Sequence, residues 1–388
     1  MPETHAARRA RAQELIAAGG ADAALITSLA NVRYLTGLAS SNAALLLPAG
    51  APGVLATDSR YTEAATRDAP DLELVTERFI EPALARLAAA RGLRTVAFEA
   101  QVMTVEQHQA LTSLDGGPAL VPLGRVIEEL RMVKDEAEIA LLARACAITD
   151  QALSDALPGI APGRTERQLA ILLERAMIDR GAEAVAFDTI VASGPNGAIP
   201  HHAPAGRPFA AGDLITIDCG ARYGGYHADM TRTVALGAPA AWQREIYEIV
   251  AAAQLAGIEA ATAGADVSTV DAAARGLIAD AGHDDHFGHG LGHGVGLEVH
   301  EAPIIGYGKT GTLVDRVPVT VEPGIYLPGR GGVRIEDTLV VRAHRGGLGP
   351  SGSGVSPGRA VSPRASTDAG AAGSREILTT TTKELLVL

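Results

Sequence analysis

The sequence predicts an α/β (α+β) protein with two domains, and three observations support this. The chain has 388 residues, whereas a single domain of ordinary size uses roughly 100–200. Residues 1–125 alternate helix-like and strand-like runs, which is typical of an α/β domain. A long amphipathic run then begins near residue 126, and two hairpin-like segments follow it. We therefore expect a second domain over residues 126–388.

The first domain, residues 1–125, is predicted from short apolar runs that turn residues separate. Strands are expected at residues 23–27, 44–48, 53–57 and 95–100, and helices at residues 7–20 and 81–92. We identify no cluster of catalytic residue types in this part of the sequence. The chemistry of the protein is therefore expected in the second domain.

The second domain begins with predicted helices. Residues 128–153 form one long amphipathic pattern, with Ile139, Leu142 and Cys146 on its apolar face. Thr165 is a suitable N-cap for a further helix. Residues 343–374 are rich in Gly, Pro and Ser and contain few large apolar side chains. Such a segment buries too little surface to offset its ordering entropy, so we predict a flexible insertion without a specific function.

Charge and composition exclude several classes of function. The net charge of −12 provides no basic patch for the phosphates of nucleic acids or anionic membranes. No run approaches the roughly 18 apolar residues of a membrane-spanning helix, and no apolar signal segment follows the N-terminal arginines. Cys146 and Cys219 are the only cysteines, so no disulfide framework is expected. These features favour a cytoplasmic protein.

Two aspartates, Asp218 and Asp229, interrupt an apolar hairpin-like segment at residues 215–233. The period of two along a strand places Asp218 on one face and its apolar neighbours on the other. The midpoint of the two aspartates lies beside Gly224 and Gly225, a suitable turn, so we predict that the aspartates face each other across two strands. Two ionised carboxylates at such positions repel. The pair therefore predicts a bound cation, unless both side chains lie in a solvated loop.

Two glutamates repeat this arrangement in a second hairpin-like segment, residues 317–341. The midpoint of Glu322 and Glu336 is Gly329, which lies in a turn rich in Gly and Pro, so this pair is also predicted to face each other. Four carboxylates carry enough negative charge for two hard dications, and carboxylate oxygens suit Mn²⁺, Mg²⁺ or Fe²⁺. The sequence therefore predicts a metal site.

Three of the histidines between the two hairpins stand out among the glycines of residues 286–303. They are His289, His293 and His300. Glycines permit close approach of the backbone, but a His- and Gly-rich tract alone is a weak signal for a metal. Next to four carboxylates the tract becomes informative, because an imidazole ligand favours Mn, Co, Fe or Zn over Mg or Ca.

The second domain resembles the dinuclear metallopeptidases of the aminopeptidase P, prolidase and methionine aminopeptidase group. Four motifs occur in the order of that family: DCGARYGGYHAD, HGLGHGVGLEVHE, TVEPGIY and GVRIED. The resemblance extends upstream to SGPNGAIPHHAP and covers most of residues 125–342. It implies the pita-bread fold for the catalytic domain. The N-terminal half is similar to the smaller domain that precedes this fold in aminopeptidase P, prolidase and creatinase.

The resemblance implies two divalent metal ions per chain, with Mn²⁺ as the expected metal and Co²⁺ or Zn²⁺ as alternatives. By motif, Asp218 binds one ion. Asp229 and Glu336 bridge both ions. His293 and Glu322 complete the ligands of the other ion.

Further roles are implied for residues around these ligands. Glu322 is the best candidate to accept and relay a proton from the attacking water. His201 and His300 match histidines that bind substrate and assist proton transfer. His289 and Arg334 match supporting residues, and a purely structural role is the alternative for each. Nearby polar residues without a matching role are interpreted as ordinary loop residues: His202, Asp284, Asp285 and His286.

The activity implied by the resemblance is that of a Xaa-Pro peptidase acting on small peptides with proline in second position, in a homodimeric enzyme. We expect an aminopeptidase P-like enzyme, with a Xaa-Pro dipeptidase as the alternative. Several similar prolidases have an Arg after the HE-x-P motif that is thought to hold the dipeptide carboxylate, whereas this chain has Ile304. That difference favours the aminopeptidase, although Arg316 or Arg330 could replace the missing Arg.

Two other functions are compatible with the same fold. A creatinase-like hydrolase needs no metal, but that activity accompanies lost ligands, and none is lost here. A non-catalytic peptide-binding module is the second alternative, and the complete ligand set argues against it too. Metal analysis of the purified protein would separate both from a dinuclear peptidase.

Overall fold

The computed structural model describes residues 2–343 and 374–388. Most of the insertion predicted at residues 343–374 lies outside the described residues. The chain divides into two compact units, Met1–Met132 and Val133–Leu388. Within the described residues, no helix is both long enough and apolar enough to span a membrane.

The first unit contains one six-stranded sheet with mixed pairing. Its strands are β1 (Ala23–Ile26), β2 (Ala43–Pro48), β3 (Val54–Thr57), β4 (Glu73–Thr76), β5 (Thr95–Phe98) and β6 (Ala119–Pro122). Its helices are α1 (Pro2–Ala18), α2 (Leu29–Thr36), α3 (Thr62–Asp68), α4 (Ile80–Ala90), α5 (Val105–Thr112) and α6 (Val126–Met132). The strand order is β4-β3-β2-β1-β5-β6, and the α/β alternation predicted from the sequence is confirmed.

Burial explains which strands of the first unit the sequence predicts. β1, β2 and β3 are buried along their whole length, and each coincides with a predicted strand. β4 and β6 are missed by the sequence analysis. Both lie at an edge of the sheet, and their residues are half-buried or exposed, so their apolar pattern is weak.

Among its described residues, the second unit contains four long helices, which are α7 (Glu136–Ala156), α8 (Glu166–Asp179), α9 (Ala241–Ala260) and α10 (Val267–Asp280). The single helix predicted over residues 128–153 is wrong, because α6 ends at Met132 and α7 begins at Glu136. The Asp135 side chain accepts a hydrogen bond from Glu138 N at 2.9 Å, and the Glu138 side chain accepts one from Asp135 N at 2.8 Å. This capping box starts a new helix. The predicted N-cap Thr165 is confirmed at α8.

The strands of the second unit form several small sheets. They are β7 (Ala184–Val185), β8 (Ile190–Ser193), β9 (Leu214–Cys219), β10 (Ala221–Tyr223), β11 (Tyr226–His227), β12 (Met230–Ala235), β13 (Gly292–Gly294), β14 (Glu301–Ile305), β15 (Pro318–Val321), β16 (Gly324–Leu327), β17 (Gly331–Arg334), β18 (Asp337–Arg342) and β19 (Ser374–Ile377). The orders are β12-β9-β8, β11-β10-β7, β14-β13-β15-β18-β19 and β16-β17. Buried side chains of β9 and β12 belong to one apolar cluster with those of α7 and α8.

The register of the first hairpin differs from the prediction. Asp218 pairs with Thr231, and Met230 pairs with Cys219, which places Asp229 opposite Gly220. The prediction is wrong because the turn is centred between Gly224 and Gly225, so the pairing shifts and the two aspartates are diagonal neighbours. Only glycine fits at position 220, since a Cβ there would lie 1.8 Å from the carbonyl oxygen of Ala228.

The register of the second hairpin agrees with the prediction. Val321 pairs with Asp337 and Gly324 pairs with Arg334. These pairs flank Glu322 and Glu336, which are therefore opposite each other in register. Both glutamates lie where the five-stranded sheet passes into the two-stranded ribbon of β16 and β17.

Candidate active site

One cavity of about 480 Å³ in the second unit is lined by all nine side chains that the sequence singles out. Its other lining residues are mainly apolar and include Phe187, Ile190, Val299 and Ile304. The nine are His201, Asp218, Asp229, His289, His293, His300, Glu322, Arg334 and Glu336. Residues far apart in the sequence thus meet in one concave site.

His293 lies at the centre of the acidic part of this cavity. Its Nε2 is 3.6 Å from Asp229 Oδ2 and 3.4 Å from Glu322 Oε1. Asp229, His293 and Glu336 offer ligand atoms that all lie within 4.8 Å of one another. Burial lowers the pKa of His293 to about 4, so the ring is neutral at pH 7. Since Nδ1 is 3.0 Å from the carbonyl oxygen of Gly294, Nδ1–H donates there and the lone pair of Nε2 points to the carboxylates.

Three carboxyl groups of this cavity, those of Asp229, Glu322 and Glu336, have raised pKa values. Burial raises the pKa of Asp229 well above its usual range, and the charges of Glu336, Asp218 and Glu322 raise it further. Burial and the charges of Glu322 and Asp218 have the same effect on the pKa of Glu336. Burial raises the pKa of Glu322 to about 8. Like charges in a buried cavity favour protonation unless a cation compensates them.

Two carboxylate oxygens in the cavity have no hydrogen-bond partner among the described residues. Asp218 Oδ1 and Glu336 Oε1 are both buried and unpaired. The second oxygen of each group is occupied, because Arg334 donates to Asp218 Oδ2 and Thr231 donates to Glu336 Oε2, both at 2.7 Å. A buried acceptor without a donor is costly. A divalent cation would satisfy both oxygens, so this set of oxygen and imidazole ligands fits a metal centre.

Arg334, the last residue of β17, contacts several of the candidate site residues. Besides Asp218, its guanidinium donates to Thr231 Oγ1 at 3.0 Å and to the Tyr326 hydroxyl at 3.0 Å. Thr231 and Tyr326 were not identified from the sequence. Thr231 is two residues after Asp229, so the period of two along a strand places both side chains on the same face. That pattern could have identified Thr231, whereas no sequence pattern indicates Tyr326.

His289 supports this network and lies away from the acidic cluster. Burial lowers the pKa of His289 to about 4, so its ring is neutral. Its Nδ1 lies 2.9 Å from the carbonyl oxygen of Gly290, and its Nε2 lies 2.8 Å from the Tyr326 hydroxyl. Nδ1–H therefore donates a hydrogen bond to the backbone, and Nε2 accepts a hydrogen bond from the Tyr326 hydroxyl. That hydroxyl is then free to accept from Arg334.

His201 and His300 line the cavity, and neither belongs to the cluster of Asp229, His293 and Glu336. The ring centroid of His300 is 4.4 Å from that of His293 in an edge-to-face contact. Burial lowers the pKa of His300, and His201 lowers it further. Both rings are therefore placed to meet a molecule bound in the cavity.

Comparison with known proteins identifies the family of each half of the chain. The profile of metallopeptidase family M24 matches residues 140–343, and that of the creatinase/prolidase N-terminal domain matches residues 8–133. The chain belongs to metallopeptidase family M24. It is therefore a peptidase with the pita-bread catalytic fold, as the motifs predict, and the family implies that it uses divalent metal ions.

Three similar proteins represent its relatives. The chain is 46% identical over 216 residues to a Xaa-Pro dipeptidase of Pyrococcus furiosus, which spans 56% of this chain and 62% of that protein. The structure of a Xaa-Pro dipeptidase from Bacillus anthracis superposes with a TM-score of 0.87, at 33% identity over 99% of this chain and 100% of that one. An X-Pro aminopeptidase from Thermotoga maritima gives a TM-score of 0.83, at 35% identity over 97% and 98%.

The two arginines that could bind the carboxylate of a dipeptide substrate do not line the catalytic cavity of this M24 peptidase. Neither Arg316 nor Arg330 is among the described residues that line the cavity. Arg330 stacks over the ring of Trp242 at 4.4 Å. Ile304 does line the cavity, and its side chain is partly exposed there. Within the described part of this chain, the only arginine lining the cavity is Arg334, which is already bound to Asp218.

β18, which begins directly after Glu336, is held by residues near the C-terminus of the peptidase. Asp337, the first residue of β18, is fully buried and forms ion pairs with Arg232 at 2.7 Å and with Lys383 at 2.8 Å. Thr379 donates to the same carboxylate at 2.8 Å. Arg232 also donates to the carbonyl oxygen of Thr381 at 2.6 Å. These contacts tie residues 379–383 to β12 and β18.

We expect the metal-free peptidase to lose stability as the pH rises. An acid whose pKa is higher in the folded state contributes stability below its unfolded pKa, and that contribution is lost as the pH rises through the folded pKa. For Glu322 this window runs from its ordinary pKa near 4.5 to about 8. The melting temperature of chelator-treated protein should therefore fall between pH 5 and pH 8.

Two controls make this test specific. Saturating Mn²⁺ should make the melting temperature nearly independent of pH over this range, because a cation compensates the ionised carboxylates. The Glu322→Gln variant should show a smaller slope in the metal-free state, because it lacks one titrating group. A melting temperature that rises over the same range without metal would contradict the assignment of raised pKa values.

Proposed function

We propose that this M24 peptidase hydrolyses the bond between an N-terminal residue and a following proline, using two divalent metal ions. The observation that carries the proposal is the convergence of five ligand side chains in one cavity, where two of their buried oxygens lack partners. The five proposed ligands are Asp218, Asp229, His293, Glu322 and Glu336. The relatives support the preference for proline, since all three are named for Xaa-Pro or X-Pro substrates.

We assign the proton transfers and the binding of the substrate to side chains of the protein itself. Bound divalent ions would supply an activated water and would polarise the scissile carbonyl. Glu322, which is 3.4 Å from His293, would accept the proton of the attacking water and return it to the proline nitrogen that leaves. His300 and His201 would hold the substrate and donate hydrogen bonds to the oxygen on the attacked carbon. Arg334 would keep Asp218 oriented.

Replacement of His300 tests this division of roles. For His300→Ala we expect kcat to fall by roughly 10²–10⁴, the scale of a lost acid–base or electrostatic group, with metal content unchanged. Steady-state kinetics and elemental analysis on the same sample provide the two measurements. His286→Ala, in a short 3₁₀ helix outside the cavity, is the matched control and should retain wild-type kcat. Loss of metal in His300→Ala would instead make His300 a ligand.

The length of the preferred peptide follows from the charges that face the cavity. A dipeptidase must bind the free carboxylate of Xaa-Pro, and an arginine is well suited because it offers two charge-assisted hydrogen bonds. Ile304 lines the cavity, and Arg334 is committed to Asp218. We therefore propose that Xaa-Pro-Yaa and longer peptides are cleaved at least as well as Xaa-Pro.

A Xaa-Pro dipeptidase is the second candidate, because two of the three relatives above carry that name. The deciding measurement is kcat/KM for Ala-Pro, Ala-Pro-Ala and a longer Ala-Pro peptide with the same metal. Ala-Ala-Ala serves as the control for proline preference. A preference for Ala-Pro of tenfold or more, about 1.4 kcal/mol in transition-state binding, would establish the dipeptidase. Equal cleavage of Ala-Ala-Ala would reject a proline-specific enzyme altogether.

A further inference from the structure

A buried glutamate outside the proposed ligand set, Glu166, accepts five hydrogen bonds. It is the first residue of α8, and its side chain is 0% exposed. Its Oε1 accepts from Ser193 N at 2.8 Å, from Ser193 Oγ at 2.7 Å and from Asn196 Nδ2 at 2.9 Å. Its Oε2 accepts from His202 Nε2 at 2.8 Å and from Ala205 N at 3.0 Å.

The five donors belong to one segment, residues 193–205. Ser193 and Asn196 lie at its start and bind one oxygen of Glu166. His202 and Ala205 lie at its end and bind the other oxygen. A single carboxylate therefore fixes both ends of a loop that contains His201 directly before the anchored His202.

The same loop has a second anchor on the side of the metal ligands. Arg334 donates to the carbonyl oxygen of Pro200 at 3.3 Å, and Pro200 and His201 both line the catalytic cavity. His202 is not among the residues that line the catalytic cavity. It lines a neighbouring cavity with Arg167 and Glu174, which His201 also borders. Adjacent histidines thus have different surroundings, since one is directed to Glu166 and the other lines the catalytic cavity.

We propose that Glu166 and His202 are positioning residues for His201 in the peptidase reaction. The proposal depends on the proposed function, because it assumes that His201 acts on a bound peptide. It also corrects the interpretation of His202 as an ordinary loop residue. Glu166 holds the loop with both oxygens, and His202 transmits this constraint to the neighbouring residue, His201.

The arrangement requires a carboxylate at position 166. An ionised carboxylate accepts hydrogen bonds through both oxygens, whereas a glutamine of the same size has only one acceptor oxygen. In Glu166→Gln the amide NH₂ would therefore face either the Ser193 and Asn196 donors or the His202 and Ala205 donors. One end of the loop would lose its anchor, and a misplacement of about 1 Å can lower a rate by roughly 10²-fold.

A double-mutant cycle tests the proposal. We expect Glu166→Gln to lower kcat/KM for Ala-Pro-Ala by about 10- to 100-fold in the wild-type background. In a His201→Ala background it should change the residual activity less than about twofold, because the residue that it positions is gone. Metal content should be unchanged in both backgrounds, and Glu245→Gln, an exposed glutamate on α9, should leave activity unchanged. Equal losses in both backgrounds, or loss of metal, would overturn the proposal.

A second variant and a second readout keep the test decisive. His202→Ala retains Glu166 and should show the same dependence on His201, even if Glu166→Gln does not fold. Hydrogen–deuterium exchange in residues 199–205 should increase in either variant, while β9 and β12 remain protected. Unchanged exchange in residues 199–205 would overturn the positioning role. If the wild-type enzyme cleaves no Xaa-Pro peptide, the proposed function fails, and the exchange data still decide whether Glu166 positions the loop.

Discussion

Removal of divalent cations is expected to abolish the peptidase activity, and added Mn²⁺ is expected to restore it. Without a cation, the pKa values of Asp229, Glu322 and Glu336 are raised, so these groups take up protons in place of metal. The protein then lacks both an activated water and a partner for the unpaired oxygens of Asp218 and Glu336. The measurement is turnover of Ala-Pro-Ala after chelation and dialysis, followed by stepwise addition of Mn²⁺.

The stoichiometry of this titration tests the number of ions. Activity should rise to a plateau as two equivalents of Mn²⁺ bind, as measured by elemental analysis of the same samples. Co²⁺ and Zn²⁺ titrations under the same conditions would identify the metal that supports the highest rate. Full turnover in a sample verified to be metal-free would refute the metal-dependent mechanism and would favour the creatinase-like alternative.

Replacement of Glu336 by glutamine is expected to have the second largest effect. Glu336 Oε2 accepts from Thr231, and Oε1 is buried without a partner. An amide at this position would lose the negative charge and would place N–H donors near the proposed ions. We expect Glu336→Gln to lose metal and to lower kcat/KM by more than about 10³-fold, beyond the effect of one missing electrostatic group.

Two control variants separate this effect from general damage. Glu245→Gln makes the same chemical change on an exposed helix position and should retain metal and activity. Thr231→Val removes the hydrogen bond to Glu336 but keeps the carboxylate, so metal affinity should fall only about 10- to 100-fold. Two bound metals at a wild-type rate in Glu336→Gln would show that Glu336 is not a ligand.

The sequence predicts much of the site because strand geometry is local. The period of two and the central turn place Glu322 and Glu336 opposite each other, and the structure agrees. The same argument is wrong by two residues for Asp218 and Asp229. The argument depends on the centre of the turn, which was predicted between Tyr223 and Gly224 and lies one residue later, between Gly224 and Gly225.

Hydrogen bonds between residues that are far apart in the sequence could not be predicted from it. Thr231 and Glu336 are 105 residues apart, and no local pattern indicates their hydrogen bond. Glu166 occupies the first turn of a helix, where acidic residues are common because they interact well with the helix dipole. Its five donors become visible only when the loop of residues 193–205 is folded over it.

The contacts of Asp337 with the C-terminal residues also bear on when the catalytic unit can form during protein synthesis. Asp337 and Arg232 are buried charges, and they leave the ribosome before Thr379, Thr381 and Lys383, with which they pair. A buried charge that lacks its partners is strongly destabilising. The first unit is complete at residue 132 and can fold early in translation. A nascent chain that ends before residue 379 should therefore carry all the proposed metal ligands and still lack a stable metal site.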